Sequence, residues 1–188
     1  STVFSRVDLA QAFHQLELAP ESRTLTTFTT HVSLRRYKRL NFGVSSAPQI
    51  FQSEIRKVLE GLQGVLNVTD DIICHGKTRE IHDQNLRALL QRLQEHNLTL
   101  NKQKCKFGQS KIAFYGYVFS ESGISPDPEK VRVIKTIDAP KNQSELRSFL
   151  GLTQYLSRFI NNYSTTTAPL RELMKQNTKY EWSERHDK

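Results

Sequence analysis

Residues 65–75 read VLNVTDDIICH, and this stretch decides the fold that we predict. Apolar residues lie on both sides of Asp70 and Asp71, which predicts two short buried strands joined by a two-residue acidic turn. Residues 2–8, TVFSRVD, alternate apolar and polar side chains and predict a further strand that ends on Asp8. Because a hairpin tip is a bend, both turn carboxylates can reach one site, and an adjacent strand would bring Asp8 to it.

The chemistry of these acidic residues depends on their combination. Taken singly, an Asp at a strand end is usually a cap, and an Asp pair is usually a solvated turn. Three converging carboxylates without His or Cys favour Mg²⁺ over zinc. We therefore predict that Asp8, Asp70 and Asp71 are catalytic and hold two Mg²⁺ ions, with Mn²⁺ as an alternative, for an in-line phosphoryl transfer.

The other elements follow from periodicity and turn residues. An aromatic, β-branched stretch predicts a hairpin, Leu-rich spacing predicts amphipathic helices, and glycines separate short strands. The predicted elements are a hairpin at 26–39, a helix from 48 to about 61 or 64, helices at 78–96, 128–136 and 142–160, strands within 104–124, and a last helix after Pro169. Asp127 and Asn142 are predicted to cap the starts of the helices at 128–136 and 142–160. We expect an α+β fold, an antiparallel sheet backed by helices, with a boundary near 121–128 before a helical unit.

Charge and composition narrow the function classes. The net charge is +8, and residues 31–111 carry 14 basic against 7 acidic residues, or +7 of that total. A basic central segment suits a nucleic-acid partner, while a merely solvated basic surface is the alternative. Two cysteines make no disulfide framework, and no apolar run is long enough for a membrane span. We expect an intracellular protein, in the cytoplasm, a virus-like particle or the nucleus.

The helix predicted at 142–160 has two distinct faces. Leu146, Phe149, Leu152, Leu156, Phe159 and Ile160 fall on one side at helical spacing. Nearly opposite lie Arg147, Gly151, Gln154, Tyr155 and Arg158. Glycine allows close approach, the tyrosine can touch sugars, and the arginines can meet phosphates, so this face fits a duplex minor groove. The alternative is a plain amphipathic helix with a polar outer face.

Six stretches in a fixed order resemble the reverse transcriptase of gypsy-type long-terminal-repeat retrotransposons. They are FSRVDLAQAFHQ (4–15), LNFGVSSAPQIFQ (40–52), NVTDDIICHGKT (67–78), LTLNKQKCKFGQ (98–109), IAFYGYVFSESGISPDPEKV (112–131) and PKNQSELRSFLGLTQYLSRFI (140–160). The resemblance implies a polymerase palm over residues 1–122, with the fingers largely absent, and a thumb with the start of the connection region over 123–188. It also implies an RNA-directed DNA polymerase that uses deoxynucleoside triphosphates and a primer with an RNA or DNA template.

The resemblance also assigns roles around the three catalytic Asp residues. The carbonyl of Leu9 would add a metal ligand, and Phe13 sits where the family places the aromatic ring that excludes a ribose 2′-hydroxyl. The same Phe13 could be an ordinary core residue. Phe42 and Gly43 would lie against the incoming nucleotide. The turn of Tyr115, Gly116 and Tyr117 corresponds to the one that holds the primer.

The chain departs from the family pattern at two positions beside the acidic pair. Val68 stands where the family has Tyr, and Thr69 is polar where an apolar residue is usual. Ser1 falls just before the first motif, so we expect the fingers and ribonuclease H to lie elsewhere in a retroelement polyprotein. Two rival functions stay open at this point: a degenerate or domesticated nucleic-acid-binding protein without polymerase activity, and an unrelated Mg²⁺-dependent phosphohydrolase.

Overall fold

The computed structural model describes residues 1–175 and 178–186. In this part of the chain the strands are β1 (Val3–Asp8), β2 (Thr27–Thr29), β3 (Leu34–Arg36), β4 (Val65–Val68), β5 (Asp71–Gly76), β6 (Lys106–Gln109), β7 (Lys111–Phe114), β8 (Tyr117–Ser120) and β9 (Gly123–Pro126). The helices are α1 (Ala47–Leu59), α2 (Arg79–Glu95), α3 (Pro128–Lys135), α4 (Gln143–Tyr155), α5 (Tyr163–Thr166) and α6 (Ala168–Glu172). Short 3₁₀ turns lie at Ala12–Gln15, Ser22–Thr26, Ser157–Phe159 and Glu184–His186.

The chain divides into two compact units, which we describe separately. The first contains Ser1–Tyr115 and Phe119–Gly123, and the second contains Gly116–Val118 and Ile124–Lys188. The change of unit falls among strands β7, β8 and β9, which form a sheet in that order. The names palm and thumb for these units stay a prediction.

A four-stranded sheet of order β4-β5-β1-β6 forms the centre of the first unit. Strand β5 pairs antiparallel with both β1 and β4, so the predicted hairpin and the strand ending on Asp8 are neighbours. The register sets Asp8 opposite Asp71 and Val7 opposite Ile72. Since side chains alternate between the faces of a strand, this register puts Asp8 and Asp71 on one face and Val7 and Ile72 on the other.

The apolar face of the sheet packs on helices α1 and α2. Its buried cluster includes Val7, Leu9, Ile72 and Cys74 from the sheet, Phe51 and Ile55 from α1, and Leu89 and Leu93 from α2. On the opposite face lies a smaller cluster of Phe4, Ile73, Ile112 and Phe114, and Val68, beside the acidic turn, packs against it. The strands that carry the aspartates are therefore packed on both faces.

A mostly buried network of hydrogen bonds joins three elements of this unit. The Ser5 hydroxyl lies 2.8 Å from His82 Nε2 and accepts the Gly108 N–H at 3.0 Å. On its other side, His82 Nδ1 lies 2.8 Å from Asp83 Oδ1. The residue types are those of a hydrolase triad, but Ser5 and His82 are fully buried, so substrate cannot reach them. This hydrogen-bond network therefore satisfies buried polar atoms between β1, α2 and β6.

The second unit contains α3 to α6. Asp127 caps α3 by accepting the Glu129 N–H, and Asn142 caps α4 by accepting the Glu145 N–H, as the sequence predicted. The core of this unit is Leu146, Leu170 and Leu173, with Phe149, Leu150, Met174, Tyr180 and Trp182 packed against it. The C-terminal segment thus returns onto α4.

Two details of α4 correct the sequence analysis. The α-helix ends at Tyr155 and continues as a 3₁₀ turn at Ser157–Phe159, so it is shorter than the predicted span to residue 160. Leu152, predicted on the apolar face, is 48% exposed, whereas Thr153 is buried with its hydroxyl 2.9 Å from that of Tyr163. The buried face is therefore rotated toward residues 146, 150 and 153, because a hydrogen-bonded threonine can replace a leucine there.

The predicted fold class is confirmed. The described residues form an α+β structure in which an antiparallel sheet is backed by helices and followed by a helical unit. None of the helices in the described part of the chain is long and apolar enough to cross a lipid bilayer.

Candidate active site and nucleic-acid surface

The structure brings Asp8, Asp70 and Asp71 to one end of the sheet. Asp8 is the last residue of β1 and lies opposite Asp71, the first residue of β5. The Asp70 carbonyl accepts the N–H of Leu9 at 3.1 Å, which ties the hairpin turn to the residue after Asp8. The convergence expected from the sequence is thus produced by strand register.

The turn itself differs by one residue from the prediction. Val68 pairs with Asp71, so the two turn residues are Thr69 and Asp70, and Asp71 already belongs to β5. Thr69 has φ +52°, an uncommon conformation for a β-branched residue. Its N–H donates to Gln52 Oε1 at 2.6 Å, and its hydroxyl lies 3.0 Å from Asp70 Oδ1. Helix α1 therefore helps to hold the strained turn.

Asp8 is the most buried of the three carboxylates, with 4% exposure. Burial raises its pKa, and the negative charges of Asp71 and Asp70 raise it further, while the positive charge of Lys104 lowers it. The Lys104 ammonium lies 3.8 Å from Asp8 Oδ2. The raised pKa of Asp8 thus comes mainly from burial of its carboxyl group, which disfavours the charged form.

Asp71 already has a cationic partner. Arg6 donates from Nε and Nη2 to Asp71 Oδ1 at 2.9 and 2.7 Å, and from Nη2 to Oδ2 at 2.9 Å. Arg6 lies two residues before Asp8 on the same face of β1, diagonal to Asp71 in the register. Both oxygens of Asp71 are thus occupied by a partly buried guanidinium.

This pairing limits the metal site that the residues can form. Among the residues that the structure describes, no group of three His, Cys, Asp or Glu side chains is arranged to hold a metal ion. The metal site of Asp8, Asp70 and Asp71 stays a prediction, and in the present arrangement Arg6 contacts both oxygens of Asp71. Asp8 and Asp70 remain suitable in donor type, since both offer carboxylate oxygens, the ligands that Mg²⁺ prefers.

The residues predicted for the nucleotide lie together. The Phe13 ring is half-buried and contacts the rings of Phe42 at 5.0 Å and Phe51 at 5.2 Å between centroids. Phe42 is 63% exposed, and Gly43 follows it with φ +90°, where a side chain would be strained. Phe13 is thus anchored on the core through Phe51 and borders an exposed aromatic surface. Leu9, whose carbonyl was expected to face the metal, is buried.

The turn predicted to hold the primer has an unusual backbone. Tyr115 and Gly116 have φ +48° and +73°. The Tyr155 ring packs over Gly116, where an added Cβ would come within 2.5 Å of the Tyr155 hydroxyl. Tyr117 stacks on Tyr155 with centroids 5.2 Å apart and an interplanar angle of 14°. Glycine is therefore required by both the backbone conformation and the packing.

The predicted outer face of α4 is accessible. Arg147, Gly151, Gln154 and Arg158 are exposed, and a Cβ added to Gly151 would meet no atom within 4 Å. Tyr155 is 39% exposed beside its Tyr117 contact. The Arg158 guanidinium lies 5.5 Å from the Tyr117 ring centroid, so two residues predicted to bind nucleic acid also support each other.

Sequence reasoning missed four residues that shape the acidic site. They are Arg6, Gln52, Thr69 as a strained turn residue, and Lys104. The position of Arg6 could have been predicted from the sequence, because its two-residue spacing from Asp8 puts both side chains on the same face of the strand. No sequence pattern indicated that Gln52 and Lys104 lie at the site, since they reach it from distant parts of the sequence.

Comparison with known proteins identifies the family. Residues 1–119 match the family model for "Reverse transcriptase (RNA-dependent DNA polymerase)". The Transposon Tf2-3 polyprotein of Schizosaccharomyces pombe is 35% identical over 185 residues, which cover 97% of this chain and 14% of the polyprotein. Uncharacterized protein K02A2.6 of Caenorhabditis elegans is 38% identical over 162 residues, covering 86% of this chain and 13% of that protein. The chain thus spans about a seventh of the length of these relatives.

Solved structures support the same conclusion at the level of the fold. The foamy viral protease–reverse transcriptase dRH in complex with double-stranded DNA matches all of this chain and 33% of its own, with a TM-score of 0.90 and 24% identity. Native prototype foamy virus protease–reverse transcriptase matches 98% of this chain and 25% of its own, with a TM-score of 0.60 and 26% identity. The chain therefore belongs to the reverse transcriptase family, as the reverse transcriptase domain of long-terminal-repeat retrotransposon polyproteins.

Proposed function

We propose that the chain is the palm and thumb of an RNA-directed DNA polymerase from a gypsy-type retrotransposon. The observation that carries this proposal is the alignment of Asp8 with Asp71 across neighbouring strands, with Asp70 in the adjoining turn. Membership of the reverse transcriptase family supports the same reaction, the transfer of a nucleotide to a primer 3′-hydroxyl. A phosphohydrolase would account for the carboxylates but not for the family match.

Asp8 and Asp70 would hold the divalent ions, for which we propose Mg²⁺ with Mn²⁺ as the alternative. Such ions, when bound, lower the pKa of the primer hydroxyl and neutralise charge on the departing pyrophosphate. The chain itself contributes position: β1 and β5 pack on a buried core, and the hydrogen bond from the Leu9 N–H to the Asp70 carbonyl ties the turn to β1. Positioning of this kind supplies much of the rate in phosphoryl transfer.

Arg6 has a supporting role in this proposal. Its bidentate contact sets the orientation of Asp71 and compensates one negative charge of the cluster. If Asp71 also contacts a metal, as the family resemblance implies, it must exchange part of its Arg6 contact for the ion. Arg6 would then lower the charge repulsion among the carboxylates before the ions arrive.

The nucleotide would lie against the aromatic group of Phe13 and Phe42. The Phe13 ring, packed against the buried Phe51, would leave room beneath a deoxyribose C2′ for hydrogen but not for oxygen. Gly43 has no Cβ, which permits close approach of the backbone to the base pair.

The primer and its template would contact the second unit. The turn Tyr115–Gly116–Tyr117 would hold the primer strand, and the exposed residues of α4 would follow the minor groove. Foamy viral relatives of the same fold were solved with double-stranded DNA and with an RNA/DNA hybrid, which supports a duplex as the partner. The remaining polymerase parts and ribonuclease H would come from the rest of the polyprotein, acting in the cytoplasm, a virus-like particle or the nucleus.

The decisive experiment is Mg²⁺-dependent primer extension by a longer polyprotein fragment that contains this chain. We expect extension with deoxynucleotides on both RNA and DNA templates, and its loss in Asp8→Asn. Duplex binding that persists with no extension under any divalent ion would instead support the degenerate nucleic-acid-binding protein. Val68, in place of the family Tyr, is tested in the same assay by Val68→Tyr.

A further inference from the structure

Helix α1 carries two neighbouring residues that contact different parts of the proposed active site. Phe51 is fully buried, and its ring lies 5.2 Å from the ring of Phe13, which in turn contacts Phe42. The next residue, Gln52, accepts the Thr69 N–H on its Oε1 at 2.6 Å. Consecutive helix residues point about 100° apart, so one short segment of α1 reaches both the proposed nucleotide surface and the acidic turn.

The conformation of the acidic turn depends on support from outside the hairpin. Thr69 has φ +52°, which residues with a branched Cβ rarely adopt. A backbone in such a conformation persists only where its surroundings hold it. The Thr69 hydroxyl donates to the carbonyl of its own neighbour, Val68, at 2.8 Å, whereas its N–H donates to Gln52. The bond to Gln52 therefore ties the strained backbone of Thr69 to helix α1.

The position of Asp70 follows from the conformation of Thr69. Asp70 is the next residue, and its Oδ1 lies 3.0 Å from the Thr69 hydroxyl. Its carbonyl accepts the Leu9 N–H at 3.1 Å. A change of φ at Thr69 rotates the rest of the turn about the N–Cα bond of that residue. Relaxation of Thr69 to a negative φ would therefore displace the Asp70 carboxylate and weaken the bond from Leu9.

We propose that Gln52 is a positioning residue of the polymerase, which sets the Asp70 carboxylate relative to the nucleotide surface by holding Thr69 at positive φ. Because the neighbouring Phe51 packs against Phe13, α1 supports both sides of the site. Gln52 acts only through Thr69, and its own side chain lines the open groove of about 680 Å³ between α1 and β4. The inference rests on the proposed function for the reaction, but not for the contact itself.

The first test measures amide hydrogen exchange in the chain itself and needs no catalysis. Gln52→Met keeps the length of the side chain but removes the acceptor. We expect exchange at Thr69 to rise about tenfold, the weight of one hydrogen bond, and exchange at Leu9 to rise with it. Adding Thr69→Gly should restore slow exchange at Leu9, because glycine adopts positive φ without strain. The matched control is Gln91→Met, at an exposed glutamine of α2, and it should leave Leu9 unchanged.

The second test is primer extension by a longer polyprotein fragment that contains this chain. Gln52→Met should lower kcat about tenfold and leave the KM for deoxynucleotides nearly unchanged, because Phe51 and not Gln52 supports the nucleotide surface. Thr69→Gly should recover most of the lost kcat in the Gln52→Met protein and change kcat little in the wild-type protein. This rescue separates positioning from general damage to the fold, which a glycine in the turn would not repair.

Each outcome decides between positioning and a merely structural contact. Unchanged exchange at Leu9 in Gln52→Met, or equal kcat in Gln52→Met and in the double variant, would overturn the proposal. A wild-type fragment without extension would reject the polymerase function, while the exchange measurements would still decide whether Gln52 holds the turn. Should Gln52→Met perturb folding, Gln52→Ala provides the same comparisons, since it only shortens a side chain that lines an open groove.

Discussion

The acidic site and the arginine groove hold their charged side chains by different means. In the acidic site the aspartates stand at strand ends, and charge partners such as Arg6 and Lys104 balance them. In the groove beside the end of α4, Arg158 and Arg171 lie on aromatic rings, and none of the described residues that line it is a carboxylate. The first arrangement is partly neutralised from within and suits a fixed chemical centre, whereas the second keeps an excess positive charge. Substitutions in the two regions should therefore affect different measurements.

The sharpest way to test this contrast is Asp70→Asn. Removing one carboxylate from the proposed metal-binding pair should reduce primer extension by a longer fragment on the order of 10³-fold, because several kcal/mol of charge stabilisation are lost. Duplex binding by the chain should stay the same or become slightly tighter. Asp138→Asn, an exposed position of the second unit, is the control and should change neither quantity. Near-normal extension by Asp70→Asn would remove the catalytic assignment.

Phe13→Val should have the next largest effect, a change in nucleotide selection and not in duplex binding. Loss of the fixed ring should raise the ratio of kcat/KM for ribonucleotides over deoxynucleotides by up to about a hundredfold, the range in which a pocket can discriminate by one hydroxyl. Competitive single-nucleotide incorporation measures this ratio. Phe28→Val, which removes a 42% exposed ring from β2, serves as the control. An unchanged ratio would make Phe13 an ordinary core residue.

Tyr155→Leu examines the aromatic support of the second unit. Loss of the stack on Tyr117 and of the contact over Gly116 should lower the free energy of unfolding by about 0.5–1.5 kcal/mol beyond the loss of buried area. Denaturant unfolding gives this quantity, and amide hydrogen exchange at residues 116–118 should rise with it. Leu152→Ala, an exposed change on the same helix, should stay within about 0.5 kcal/mol. Equal exchange in both variants would mean that Tyr155 does not hold the turn.

The smallest expected effect is that of Asp8→Asn on the free energy of unfolding, which should rise instead of fall and should depend on pH. The pKa of Asp8 is raised in the folded protein, mainly by burial, so its ionisation destabilises the fold above the ordinary Asp pKa. Asp8→Asn should therefore increase the free energy of unfolding near neutral pH by about 0.5–1 kcal/mol, and the gain should vanish as the pH falls below that ordinary value. Urea unfolding across this range provides the measurement. A gain that persists at low pH would point to packing instead of charge.

Much of the fold could be predicted because its signals are local. Hydrophobic alternation located β1, and apolar residues on both sides of the acidic pair located β4 and β5. Leucine spacing located α2, and the Asp127 and Asn142 caps located the starts of α3 and α4. The turn position was off by one residue, because pattern alone cannot tell that Thr69 adopts a positive φ and leaves Asp71 in the strand. Local propensity also could not show that Thr153, instead of Leu152, faces the core of the second unit.

By itself the sequence determined the reverse transcriptase family and the fold class, since motif order and periodicity are properties of the chain, while the catalytic role of Asp8, Asp70 and Asp71 stays a prediction. Only the tertiary structure decided which partners these residues have. Arg6 on Asp71, Lys104 beside Asp8 and Arg171 against Tyr163 are all contacts of this kind. Charge pairing and ring packing depend on distances of a few ångströms between elements, and strand register and helix packing set those distances after the local patterns have formed.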